Sequence, residues 1–452
     1  MGLKQNFVRS LRATLASAAN PSAEIQANTQ SSLALSNGNP SHNTYLWQDA
    51  AWTLKETDRI SSAAYAEHGM CAKPGLFGDA RPSLWGVPIS VKDCFDLAGS
   101  PTTCGTNFYR ELHGIATHDS WLVEQLRSAG AIIIGKTHLH PLAYGITGEN
   151  AEFGDCLQPG DAGALTGGSS SGAAASVMEG SALASIGTDT GGSVRVPSAL
   201  CGLAGYRASL GRGDWRGAAH LAQSFDTLGW LFHDLEDGPL LGSIFGSTDA
   251  SKLTLPKNFA VISNSFLHDC EAAVVASLKA TTRELEELGL TATTVDIDWW
   301  SDSLEIFAAI QASEAATIHR GNYAAFMPSI RERLQWGASL GDQDIAALRM
   351  RHAAFRDRMD ALLAKHELLL MPAAPVTRLV AGADHSQTRT RLLRYTTPAS
   401  LSGMPTVTVP CFASGHDTAK VKAGGVQLVA AHEDDARLLT VAAQLGARRA
   451  AI

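Results

Sequence analysis

The sequence predicts an α/β fold in one large domain, and three observations predict it. From Asp119 to Gly130 an amphipathic helical pattern runs directly into the apolar strand Ala131–Gly135, the alternation that an α/β architecture requires. Apolar strand segments recur near both ends of the chain, so the two ends are expected to complete one sheet. The composition, 45% hydrophobic and 18% charged over 452 residues, is that of a globular enzyme with a large core.

Residues 1–70 read as a polar, helical segment of the same domain. Leu3, Phe7, Val8, Leu11 and Leu15 recur at helical spacing, which marks an amphipathic first helix. It is expected to pack on the body or on a partner subunit, with docking to a membrane surface as the alternative. The main domain then covers 71–452. Residues 84–97 (LWGVPISVKDCFDL) read as a buried strand and a loop. The stretch from Gly163 to Gly205 is dense in Gly, Ser, Ala and Thr. A linker of that composition would lack apolar anchors, and here Val177, Met178, Leu183, Ile186, Val194, Val196 and Leu200 supply them. Small residues in a packed region let backbone approach backbone or ligand closely. Residues 270–365 form a mainly helical, substrate-shaping excursion, with periodic segments Ala272–Leu288 and Asp342–Leu363. Strands return at Leu368–Met371, Thr406–Pro410 and Gly425–Val429, and a helix over Glu433–Leu445 closes the chain.

A formal net charge of −8, with no long basic run, argues against a nucleic-acid partner. No stretch approaches the roughly 18–20 apolar residues of a membrane span, and the N-terminus lacks the apolar core of a secretory signal. No membrane is therefore expected. The seven cysteines are odd in number, irregularly spaced and without a CxxC pair, which disfavours a disulfide framework or a zinc site and suits a cytoplasmic protein. A homodimer is left open.

Three segments carry chemistry. In Gly86-Val-Pro-Ile-Ser-Val-Lys92-Asp93, a lysine at the end of an apolar strand is desolvated if it points inward, and desolvation makes the neutral amine a usable base. Thr166-Gly-Gly-Ser169-Ser170-Ser171-Gly172 and Gly187-Thr-Asp189-Thr190-Gly191-Gly192-Ser193-Val-Arg195 each place a serine after two glycines. A tight turn of that kind leaves backbone N–H groups free to hold an oxyanion. The phosphate-cradling patterns GxxxxGK[ST] and GxGxxG are absent.

Together the three segments resemble the amidase signature family, including the 24-residue step from Ser169 to Ser193. The resemblance continues through Gly135-Lys136-Thr137, Tyr144-Gly145, Gly148-Glu149-Asn150, Ser224-Phe225-Asp226-Thr227, Leu401-Ser402-Gly403-Met404-Pro405 and Gly424-Gly425-Val426-Gln427. It covers roughly 80–240 and 368–445. It implies the amidase-signature fold, a large mixed, mostly parallel β-sheet core surrounded by helices. It also implies a catalytic triad: Ser193 as nucleophile, Ser169, preceded by a cis peptide bond, as the bridge, and neutral Lys92 as the base. The oxyanion hole would be the N–H groups of Thr190, Gly191, Gly192 and Ser193. Ser170 would support the Lys92 network. Asp189 and Arg195 would brace the loop as an ion pair, with substrate contact as the alternative. No cofactor and no metal is implied.

The sequence departs from the family pattern at His138-Leu139-His140-Pro141, where Asn and then an acidic residue are usual, and at Ala399-Ser400-Leu401. His-x-His invites a metal reading, but no third ligand follows by spacing. Members that amidate misacylated transfer RNA carry Gln where this chain has Val196, and allophanate hydrolases carry Ala-Gly-Ser-Gly where it has Gly191-Gly192-Ser193-Val194. The expectation is a stand-alone, bacterial-type amidase acting on a small-molecule amide, neutral and hydrophobic or aromatic. Trp299, Trp300, Phe307, Tyr323, Phe326 and Trp336 are available to line its pocket. The alternatives are a carbamate (urethane) or aryl-ester hydrolase and an amidotransferase subunit.

Overall fold

A computed structural model describes residues 7–37, 42–62, 82–246, 254–413 and 421–451. Leu3, Cys71 and the expected 70/71 boundary lie outside the described residues. The chain begins with α1 (Phe7–Ser17), α2 (Pro21–Asn37), β1 (Tyr45–Trp47), α3 (Ala50–Ser61), β2 (Pro88–Lys92), α4 (Asn107–His113), α5 (Trp121–Ser128) and β3 (Ile132–Thr137). Next come β4 (Leu157–Gln158), β5 (Asp161–Leu165), α6 (Ser171–Glu179), β6 (Ala184–Asp189), α7 (Arg195–Cys201), β7 (Ala204–Arg207), β8 (Thr227–Phe232), α8 (Gly238–Gly242) and β9 (Asn258–Ile262). The remainder is α9 (Ala272–Glu287), β10 (Thr291–Val295), α10 (Ser303–Ile318), α11 (Pro328–Ser339), α12 (Asp342–His366), β11 (Leu368–Pro372), β12 (Leu379–Val380), α13 (Ser386–Ser402), β13 (Thr406–Ala413), β14 (Val421–Ala430) and α14 (Asp435–Ala451).

Eleven strands form one mixed sheet in the order β1-β3-β2-β6-β8-β7-β13-β14-β11-β9-β10, and β12, β5 and β4 form a small second one. The expected large mixed sheet is present, with its parallel share confined to two blocks. The pairs β3–β2, β2–β6, β11–β9 and β9–β10 are parallel. The other pairs, β1–β3 at one edge and the run from β6 to β11 through the middle, are antiparallel. Antiparallel neighbours can follow one another through a loop, whereas parallel neighbours need a crossover. Strands β2, β3, β6 and β8 are buried at every position, which is why they read as continuous apolar or small-residue runs rather than alternating ones.

The segment read as wholly helical at the N-terminus contains β1, a three-residue edge strand paired with β3. Three residues are too few to show a period of two. Within 270–365 the helices are interrupted by β10, the outermost strand at the other edge. The first helix packs on the body: Val8 and Leu15 are buried, and the Asp237 carboxylate accepts the N–H groups of Val8 and Arg9, both at 3.2 Å.

Helix α6 lies against β2, β6 and β8. Its small residues are required there, since a Cβ on Gly172 would stand 2.2 Å from the Thr44 carbonyl oxygen. Helix α7 packs on β7, β13 and β14, and α10, α11, α12 and α13 pack on one another beyond the sheet. No helix among the described residues is long and apolar enough to cross a membrane. The six described cysteines are unpaired.

Candidate active site

Strands β3, β2 and β6 run parallel, and the residues of interest gather at their carboxyl ends, the usual place for a site in such a sheet. Lys92 is the last residue of β2 and is fully buried. Its Nζ lies 2.8 Å from Ser169 Oγ and 2.7 Å from Thr188 Oγ1. No carboxylate among the described residues pairs with it. The adjacent Asp93 turns elsewhere: it forms a buried ion pair with Lys136 Nζ at 2.7 Å and accepts the Thr103 N–H at 3.0 Å and the Thr103 hydroxyl. Burial therefore acts on Lys92 with no contacting countercharge, and it lowers the lysine pKa below its ordinary value. Asp93 is pushed up by burial, with Lys136 opposing.

Ser169 sits on the loop between β5 and α6, and the Gly168–Ser169 peptide is cis. The His140 N–H donates to the Ser169 carbonyl at 3.1 Å, and the Gly168 N–H to that of Ile146 at 2.8 Å. The two serine loops are tied to each other, because the Ser170 N–H donates to the Ser193 carbonyl at 3.2 Å. Ser170 does not touch Lys92. Its hydroxyl donates at 3.2 Å to the backbone carbonyl of Thr188, the residue whose own hydroxyl holds the lysine. The expected support is therefore one residue removed, and Thr188 is the direct contact.

Ser193 lies between β6 and α7, on a turn organised by Asp189. That carboxylate accepts the N–H groups of Gly192 (2.8 Å), Val194 (3.0 Å) and Arg195 (3.2 Å). It also accepts Arg195 Nε at 3.0 Å and Nη2 at 2.9 Å, with Arg207 Nη1 at 3.3 Å. Burial pushes the Asp189 pKa up, but the two guanidiniums outweigh it and hold the carboxyl below the usual range. Arg195 spends its remaining donors on the Thr396 carbonyl (2.8 Å), Gln427 Oε1 (3.2 Å) and Ser400 Oγ (2.7 Å). The pair is a brace that ties the turn to α13 and β14, and Arg195 keeps no donor for a substrate.

This arrangement corrects the expected oxyanion hole. The Gly192 N–H is taken by Asp189, so it cannot serve an oxyanion. The N–H groups of Thr190, Gly191 and Ser193 are not engaged by any other group among the described residues, and these same three residues line a narrow cavity. The turn is fixed from several sides: Thr190 Oγ1 donates to Asp226 Oδ1 at 2.7 Å, and Thr396 Oγ1 donates to the Gly191 carbonyl at 2.5 Å. Gly191 is pressed so closely that a Cβ there would lie 2.6 Å from Phe307 Cζ. Gly192 takes φ +121°, which only glycine adopts readily.

The cavity is completed by Ala143, Tyr144, Gly145, Ile146, Gln311, Arg389 and Leu393. None of the six aromatic residues available to line the substrate pocket lines this cavity, and Phe307 comes nearest by packing on Gly191. Trp300 and Phe326 are core residues and Trp336 faces solvent. The lining thus mixes apolar side chains, Ile146 and Leu393, with a guanidinium and an amide, Arg389 and Gln311. His138 is structural: Nδ1 is 2.8 Å from Ser171 Oγ and Nε2 is 2.8 Å from the Gly154 carbonyl, and burial lowers its pKa to about 4. His140 is buried with its ring against Gly145. No group of three His, Cys, Asp or Glu side chains placed to hold a metal ion occurs among the described residues.

Thr188, Thr396, Gln311 and Arg389 were not singled out by the sequence. Thr188 could have been, since it lies in the Gly187–Pro197 segment on a strand neighbouring β2. The other three come from helices distant in sequence, and no local pattern marks them.

A model of the amidase family matches residues 57–439. The chain is 29% identical to a glutamyl-tRNA(Gln) amidotransferase subunit from Synechococcus sp. (strain CC9605), with 91% of this chain and 90% of that protein covered. It is similar to a solved structure described as an amidase, at a TM-score of 0.84 and 27% identity, over 98% of this chain and 99% of the other. A 6-aminohexanoate cyclic dimer hydrolase complexed with substrate shares the fold at a TM-score of 0.80 and 20% identity, over 97% and 96% of the two chains.

Proposed function

The chain belongs to the amidase family, and from that premise we propose that it is a serine hydrolase cleaving the C–N bond of small-molecule amides through an acyl-enzyme on Ser193. The observation that carries the reading is Lys92: fully buried, unpaired with any described carboxylate, and 2.8 Å from the Ser169 hydroxyl. A buried lysine without a countercharge favours the neutral amine. Neutral Lys92 takes the Ser169 proton as Ser169 takes that of Ser193, and Ser193 Oγ bonds to the carbonyl carbon. The oxyanion is held by the N–H groups of Thr190, Gly191 and Ser193. The same relay returns the proton to the leaving nitrogen as the C–N bond breaks, leaving an ester on Ser193. Water then adds to that ester, gives a proton to Lys92 through Ser169, and releases the acid as Ser193 recovers its hydrogen. Nucleophile, proton relay and oxyanion donors are all supplied by the protein, and water is the second substrate.

The same steps serve a carbamate or aryl-ester carbonyl, so urethane hydrolysis is the alternative. An amidotransferase subunit is a second reading, favoured by the curated relative and opposed by Val196 in place of Gln. We place the reaction in the cytoplasm, in keeping with the six unpaired cysteines.

The test is hydrolysis, by the isolated chain, of one acyl group presented as amide, carbamate and ester, with wild type and Ser193→Ala side by side. Amide cleavage without a partner, lost roughly 10⁴-fold or more in the variant, with a mass increase on Ser193 after rapid quench, is the expected result. Equal rates in both proteins would sink the assignment of the nucleophile. Activity appearing only with an added partner would favour the amidotransferase reading.

A further inference from the structure

The cavity beside Ser193 carries positive charge that the relay does not use. Arg389, on α13, lines it together with Thr190, Gly191, Ser193 and Gln311. Arg333, on α11, lays its guanidinium 4.2 Å above the ring of Tyr144, which lines the same cavity. Neither arginine meets a carboxylate among the described residues. Arg333 Nε donates to the Ser329 carbonyl at 2.9 Å, while its Nη1 is buried with no partner. The Gln311 side-chain amide, also buried, bonds to no other described group.

Other arginines around the site behave differently. Arg195 and Arg207 share Asp189, and on the outer helices Arg349 pairs with Glu314 and Arg351 with Asp302 and Glu305. Burial lowers the pKa of both Arg333 and Arg389, and for Arg333 the Arg389 guanidinium adds to the effect. Two neighbouring guanidiniums, half-buried and facing no carboxylate among the described residues, keep an uncompensated charge at the cavity. A carboxylate placed between them compensates that charge, because a guanidinium fork binds it with two parallel charge-assisted hydrogen bonds. The Gln311 amide can donate a third.

We propose that Arg389, backed by Arg333 across Tyr144 and flanked by Gln311, is the receptor for a carboxylate on the substrate, so that the enzyme acts on small amides bearing an acid group. The inference rests on the hydrolase reading for its chemistry and on the cavity alone for its charge. The acid group docks at Arg389 while the scissile carbonyl reaches Ser193, both of which line one narrow cavity. Because both groups line the same narrow cavity, a short chain between acid and amide is expected.

The test uses malonamate, succinamate and glutaramate, each beside the amide in which an isopropyl group replaces the carboxylate. For the best of the three acids, wild type is expected to show a kcat/KM at least about 100-fold above the neutral isostere. Arg389→Gln cuts that ratio by 30-fold or more, Arg333→Gln by less, and Arg389→Lys restores part of it. The loss falls on KM more than on kcat. In parallel, calorimetry with succinate and with inorganic phosphate measures binding to wild type and Arg389→Gln, with no turnover needed. Succinate binding that disappears in the variant, without matching phosphate binding, supports a carboxylate receptor. Phosphate binding as tight as succinate binding overturns it in favour of a general anion site. A ratio near one in wild type, or one unchanged in Arg389→Gln, also overturns the proposal. If neither amide of any pair is cleaved yet succinate binds through Arg389, the hydrolase reading fails while the receptor stands.

Discussion

Replacing Asp189 with asparagine removes one charge and almost no volume, at the point where the Ser193 turn is organised. In the wild type this carboxylate faces two guanidiniums and three backbone N–H groups, all buried. Asparagine offers one acceptor oxygen in place of two and turns an NH₂ group toward donors, so Arg195 and Arg207 keep their charges without a counter-ion. Breaking a buried pair by removing one partner costs about 3–5 kcal/mol. Unfolding entropy of about 2.1 cal/mol/K per residue, over 452 residues, makes each kcal/mol worth roughly 1 °C. The melting temperature is therefore expected to fall by about 3–5 °C, small enough to leave a folded protein for kinetics. The functional loss is larger, because the turn that carries the three free N–H groups is fixed through Gly192, Val194 and Arg195. Loss of one oxyanion donor alone costs roughly 10²–10³ in kcat, so a drop of at least about 100-fold is expected.

Scanning calorimetry and steady-state kinetics on the Asp189→Asn variant measure both. The pH dependence gives an independent check. A carboxylate held below its unfolded pKa contributes stability that is fully present above about pH 4 and is lost as pH falls through its lower folded value. The gap between wild type and variant thus stays constant from neutral pH into mild acid and closes only in strong acid. A melting temperature within 1 °C of wild type, together with unchanged kcat, would refute the reasoning that Asp189 shapes the turn.

Lys92→Met abolishes hydrolysis yet raises the melting temperature near neutral pH. The folded-state pKa of Lys92 is lowered, so the unfolded chain holds a proton that the folded chain sheds, and folding is opposed most strongly at low pH. That penalty fades as pH approaches the unfolded value of about 10.4, so the variant's advantage narrows on the alkaline side. Wild-type kcat/KM rises with pH through the lowered pKa, and a flat profile across that range would remove the neutral amine as base. Gly191→Ala forces a methyl against Phe307, where the Cβ would lie 2.6 Å from Cζ. Overpacking of this kind costs about 1–3 kcal/mol and displaces an oxyanion donor, and adding Phe307→Leu recovers part of the stability. No recovery in the double variant would show that Phe307 does not set the position of Gly191.

What the sequence made legible follows from where each part of the site gets its geometry. Lys92, Ser169 and Ser193 stand at strand ends or on adjoining turns, so the residues that present them lie within a few positions along the chain, and short segments suffice to identify them. Strands buried on both faces, such as β2 and β3, were visible as apolar runs for the same local reason. Gly192 shows where that locality misleads: its N–H is captured by the carboxylate three residues earlier, a competition that a glycine-rich pattern alone does not disclose. Arg333, Gln311 and Arg389 are illegible for a different reason. Each sits on a separate helix beyond the sheet and is carried to the cavity by helix–helix packing, which repeats no spacing and leaves no motif. A count of available aromatics pointed to an apolar pocket because tryptophans and phenylalanines are conspicuous in the middle of the chain. The fold places Trp300 and Phe326 in the core, Phe307 against Gly191 and Trp336 at the surface, and leaves the charged tips of long side chains at the opening. The residues of the proposed reaction are therefore short-range in sequence, and those of the proposed acid receptor are assembled by long-range packing. For that reason the proposed triad could be picked out without a structure, whereas the arginines that argue for an acidic substrate could not.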